Sequence, residues 1–115
     1  MRAAMRTQWT NMIEHAFAAA MERRTALVAE PLGAEVELKI VPKPDFAAMI
    51  RKRGTGFSLE ITEGTAAQIH RLWSDAFAAG FAIVNATVDE MTELSLTWLI
   101  LHEIEHIYLR HFQLI

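Results

Sequence analysis

Residues 56 to 62 read GFSLEIT, and the alternation of this stretch decides the fold class. Phe57, Leu59 and Ile61 fall on one side, which is the period-two pattern of a strand with an inward and an outward face. AEVELKIV, residues 34 to 41, repeats the pattern more cleanly. There Val36, Leu38 and Ile40 face one way, and Glu35, Glu37 and Lys39 face the other. FAIVNA, residues 81 to 86, reads as a short apolar third strand.

Helical periods surround these strands. Residues 3 to 29 carry Met5, Trp9, Met12, Ile13, Ala16, Phe17 and Ala20 at helical spacing in an alanine-rich background, closed by Pro31 and Gly33. Asp45 and Gly54 bracket residues 46 to 53 as the cap and stop of a short helix that ends in Arg51, Lys52 and Arg53. Thr65 and Gln68 have capping-box spacing and open a helix through Ile69, Leu72, Trp73 and Phe77, which Gly80 stops. Thr87 and Glu90 form a second such box before a last helix that runs from about Val88 to the end. The expectation is an α+β domain of about three strands and about four helices spanning residues 1–115. With no short link between any two strands, their directions stay open.

A chain of 115 residues, 52% of them apolar, is of a size to bury one core. A net charge of -3 and an isoelectric point near 5.9 weigh against general nucleic-acid binding, which needs a basic surface. The single basic cluster, Arg51 to Arg53, reads as a solvated helix end. There is no cysteine, so disulfides and thiolate ligands are excluded and any metal must be held by His, Asp or Glu. The same absence accords with a reducing compartment, and a cytoplasmic location is expected. Glu14, His15, Glu22, Arg23 and Arg24 interrupt the first apolar stretch, which is therefore not expected to be a signal peptide. No run is long enough to suggest a membrane span.

The chemistry lies in the last helix. His102, Glu103, Ile104, Glu105 and His106 spell H-E-x-x-H within LHEIEHIYLRHF, residues 101 to 112. At about 100° per residue, His102 and His106 stand about 40° apart and one turn along, so both imidazoles can reach one metal ion. Glu103 is placed to take a proton from a water beside that ion. A shuffled chain of this composition would contain the pattern about twice in a hundred trials. The segment upstream, LSLTWLIL, is apolar enough to be buried, and buried His and Glu are costly unless paired or bound to metal. The expected seam against the sheet is Trp98, Leu99, Leu101 and Ile104. His111 falls about 180° from His102 on an unbroken helix, so it reads as a charge near the helix end or a group that orients a neighbour. Glu105 is likewise off the metal face. His15 and His70 belong to other helices, where each reads as a surface or satisfied core histidine unless the fold brings it to the metal.

LILHEIEHIYLRHF resembles the active-site helix of zincin metallopeptidases. Its form, HExxHxxxRH, is most similar to that of the gluzincins, with the Lit-type phage-exclusion and HtpX-like peptidases as the nearest groups. The resemblance implies a zinc cofactor, zinc ligands at His102 and His106, a general base at Glu103, and a peptide or protein substrate received by an edge strand. It covers about fourteen residues, and the order of elements before them is similar to the upper half of a zincin fold. Gluzincins take their third ligand from a glutamate on a later helix. The nine residues after His106 contain no Glu or Asp, and Phe112 stands where a metzincin would have its third histidine. Three expectations follow: a domain lacking its C-terminal part, a ligand supplied from upstream or by a partner chain in a homo-oligomer, or a degenerate peptidase. A non-catalytic interaction module on the same scaffold is the alternative function. A di-iron helical protein, using Glu103 and His106, would need a second such pair and four bundled helices, which the alternating strands oppose.

Overall fold

A computed structural model describes residues 7–27, 35–81 and 85–108. Among them the chain forms three helices and a three-stranded mixed sheet, an α+β arrangement. Helix α1 spans Gln8–Leu27, β1 Val36–Val41, β2 Ala48–Arg53, β3 Gly56–Thr62, α2 Glu63–Ala78 and α3 Val88–Tyr108.

The sheet order is β1-β3-β2, with β1 parallel and β2 antiparallel to β3. The register stacks Leu38, Leu59 and Ile50 in one row and Ile40, Ile61 and Ala48 in the next. These rows form the inner face. Glu37, Lys39, Met49 and Arg51 are exposed on the outer face, the wet side that the alternation requires. Helices cover the inner face. Ile13, Ala16 and Ala20 of α1, Leu59 and Ile61 of β3, and Leu96, Ile100 and Ile104 of α3 are almost wholly buried together. Alanines at 16 and 20 let α1 lie close to α3, because small side chains shorten the distance between helix axes.

The expected short helix at 46 to 53 is instead β2. Arg53 and Gly56 pair across a two-residue turn, and Gly54 sits at φ 57° at its first position. A glycine with positive φ there is the mark of a tight hairpin whose twist matches its strands. The link between β2 and β3 is therefore a hairpin. The same glycine would also close a helix, and Asp45 would cap one, so the local signals served either element. Pairing with β3 decides between them.

The start of α2 also moves. Its cap is Thr62, not Thr65: Thr65 N–H donates to Thr62 Oγ1 at 3.2 Å. Thr65 sits in the first turn, buried, and exchanges hydrogen bonds with the Ala47 backbone, while Gln68 Nε2 donates to the Pro44 carbonyl. The hydroxyls of Thr62 and Thr65 thus pin the loop before β2 to the start of α2. Gly80, at φ 91°, closes that helix as expected. The expected strand 81 to 86 includes residues 82–84, which lie outside the described residues; Phe81, Asn85 and Ala86 are not in a strand.

Candidate metal centre

Helix α3 is built to stay helical through an apolar environment. Thr87 and Glu90 make the expected reciprocal box: Thr87 N–H donates to Glu90 Oε1 at 2.9 Å, and Glu90 N–H to Thr87 Oγ1 at 3.1 Å. Asp89 and Glu90 in the first turn complement the positive end of the helix dipole. Thr92, Ser95 and Thr97 each donate their hydroxyl to the carbonyl four residues back, so these polar groups stay satisfied inside the packing. Trp73 Nε1 donates to Ser95 Oγ and joins α2 to the same helix.

The buried stripe of α3 is Leu96, Ile100, Ile104 and Ile107. Of the expected seam only Ile104 is fully buried; Leu99 and Leu101 are half-buried, and Trp98 is 66% exposed. The physical reason is the direction of packing. α3 rests mainly on α1 and α2 and meets the sheet chiefly at β2, and Trp98 lies on the side of the helix left to solvent.

The last two turns bring His102, Glu103 and His106 together, with a donor atom from each within 4.8 Å of the others. The two imidazole centroids are 5.0 Å apart and nearly perpendicular. Glu103 Oε2 lies 4.0 Å from His106 Nε2. His102 is exposed, whereas the side chains of His106 and Glu103 are 33% and 16% exposed, so the cluster grades from solvent into the protein. Two imidazole nitrogens and one carboxylate suit a divalent metal of borderline character. Tetrahedral zinc, with bonds of about 2.0–2.1 Å, needs donors roughly 3.4 Å apart, so the side chains must close inwards. The exposed His102 ring has room to do so.

His15 and His70 do not join this group. His15 Nδ1 is 3.3 Å from Glu93, and His70 Nε2 is 2.9 Å from Asp89 with Trp9 edge-on to its ring. Glu93 lies nine residues before His102, about 13 Å along a helix. Among the described residues no further His, Asp or Glu completes the three-residue cluster. His111 lies outside the described residues.

Arg24 is the residue that reading along the sequence misses. It is 4% exposed, and its Nε donates to Glu105 Oε1 at 2.9 Å. The signal was present: Ile13, Ala16, Ala20 and Arg24 continue one helical stripe, so Arg24 points the way the core residues point. Glu105, off the metal face as expected, is thereby tied to α1.

Compared with known proteins, the chain matches no family model, no curated protein and no solved structure. Among the described residues no helix is long and apolar enough to cross a membrane.

Proposed function

We propose that the chain is a zincin-like, zinc-dependent peptidase domain, with His102 and His106 as metal ligands and Glu103 as general base. The observation that carries this reading is the convergence of the three donors within 4.8 Å on one side of α3. Zinc held by the two imidazoles would supply Lewis acidity towards a water molecule and a peptide carbonyl. Glu103, one residue on from His102 and largely shielded from solvent, would take the proton from that water and pass it to the leaving amine.

A second reading draws on the 4.0 Å approach of Glu103 to His106. A carboxylate so close to the imidazole can serve as a third ligand, and a metal ringed in this way would fasten an interaction module rather than hydrolyse anything. Glu103→Gln separates the two. As the base, Glu103 is dispensable for zinc binding and essential for turnover, so the variant keeps its zinc affinity and loses hydrolysis of a peptide library. As a ligand, its replacement lowers zinc affinity itself, by about 10-fold or more. Unchanged hydrolysis by Glu103→Gln would assign the base elsewhere, and a zinc-loaded chain that cleaves no peptide of the library would sink the peptidase reading.

A further inference from the structure

The strand nearest the metal helix carries an unusual charge. β2 pairs with β3 alone, so its other backbone edge has no strand partner among the described residues. It is also the strand that α3 contacts most. Its last three residues, Arg51, Lys52 and Arg53, are all exposed, in a chain whose net charge is -3. Arg51 is held by Glu60 at 3.1 Å, whereas Lys52 and Arg53 have no acidic partner among the described residues. The register puts Lys52 in the row of Phe57 and Val36, on the helix-covered face, and Arg51 and Arg53 on the outer face. A strand added beside β2 would therefore meet positive charge on both of its faces.

We propose that the edge of β2 away from β3 receives an acidic, extended peptide segment by strand addition, and that Lys52 and Arg53 select for its carboxylates. This rests on the peptide-hydrolase reading and names its substrate class. Backbone groups of β2 would supply affinity independent of side chains, and the cations would supply the choice among peptides. Consecutive acidic residues fit better than alternating ones, because neighbouring side chains of a strand point to opposite faces and cations wait on both. Lysine and arginine also protect edge strands against self-association. That role needs no ligand and predicts no preference between peptides of opposite charge.

The test is fluorescence anisotropy on the whole chain, without metal, with three labelled nine-residue peptides. All are rich in valine and threonine, and their three central residues are Glu, Gln or Lys. The glutamate peptide is expected to bind at least tenfold tighter than the glutamine peptide, and the lysine peptide weakest. The preference should shrink as salt rises, since exposed charges are screened. Lys52→Glu with Arg53→Glu should reverse the order, and Lys52→Gln with Arg53→Gln should erase it; both positions are exposed, and circular dichroism checks the fold. Methylation of alternate backbone nitrogens in the glutamate peptide should weaken binding at least tenfold. Equal binding of the glutamate and glutamine peptides, an unchanged order in the charge-reversed chain, or indifference to backbone methylation would each overturn the proposal. So would tighter binding of an oligothymidylate than of the glutamate peptide. Hydrolysis of all three peptides at equal rates in the presence of zinc removes the acidic selection and leaves the peptidase reading standing. Selective binding without hydrolysis does the reverse.

Discussion

Arg24 Nε donates to Glu105 Oε1 at 2.9 Å across 81 positions of chain. The bond joins the last turn of α1 to the turn of α3 that ends in His106. Arg24 is 4% exposed and Glu105 about a third exposed, so the pair sits where the protein meets solvent, with its cation on the inner side. Such a pair contributes less than its Coulomb energy suggests, because both ions give up water to form it. Removing only the carboxylate is the costly change, since it takes one charged partner from a buried guanidinium.

Glu105→Gln is therefore expected to lower stability by about 1–3 kcal/mol. Arg24→Met with Glu105→Gln should recover part of that loss, since methionine fills the space without a charge. Denaturant unfolding of the two single variants and the double variant measures the coupling. Strictly additive losses would mean that the two side chains are independent.

The stripe Leu96, Ile100, Ile104 and Ile107 faces the core, and Trp98 faces away from it. Ile100→Ala and Ile104→Ala should each cost about 2–5 kcal/mol, the range for emptying a buried aliphatic site. Trp98→Ala should change stability by under about 0.5 kcal/mol, as exposed positions usually do. Thermal melts without metal compare the three. A large loss at Trp98 would mean that the helix is turned about its axis relative to α1 and α2.

Gly64 is the second residue of α2, and its N–H donates to the Lys43 carbonyl at 2.9 Å. A Cβ at this position would overlap the Pro44 carbonyl, whereas one at Gly54 would meet nothing. Gly64→Ala should thus cost at least about 1–3 kcal/mol through forced backbone movement. Gly54→Ala should lose about 1–2 kcal/mol for its positive φ alone. The two can be told apart by hydrogen exchange. Gly64→Ala should expose the amides of Ala47 and Thr65, and Gly54→Ala should fray only the hairpin.

These residues also show where the fold could be read ahead of the structure. β1 and β3 announce themselves by alternation, and α3 by a capping box whose two bonds both form. β2 does not, because Asp45, three cations and Gly54 obey the rules for a helix as well as those for an edge strand. The choice is made by backbone pairing with β3, a tertiary fact. The parallel pairing of β1 with β3 is invisible for a similar reason, since β2 intervenes in the chain. At the site, the H-E-x-x-H group is local and needs only the helical period. The Arg24–Glu105 bond depends on how α1 meets α3, and one-dimensional spacing does not carry that.

Metal and protons compete for the same imidazoles of α3. A ligand that binds only the native state stabilises it by about 2.7 kcal/mol when free ligand stands at one hundred times Kd. For a domain of about a hundred residues, each kcal/mol raises Tm by roughly 4–8 °C. Zinc at that excess should therefore raise Tm by on the order of 10 °C if His102, His106 and a water or carboxylate hold it. His102→Ala should remove most of the shift. His15→Ala should leave it intact, because His15 is engaged with Glu93 on another part of α3. Imidazoles must be unprotonated to ligate, so protons compete with zinc for the same nitrogens. The zinc-induced shift should accordingly shrink as pH falls from about 8 to about 5.5. Differential scanning fluorimetry across that range, with and without chelator, checks both parts. A zinc shift that persists in His102→Ala, or that grows towards acid pH, would place the metal away from α3.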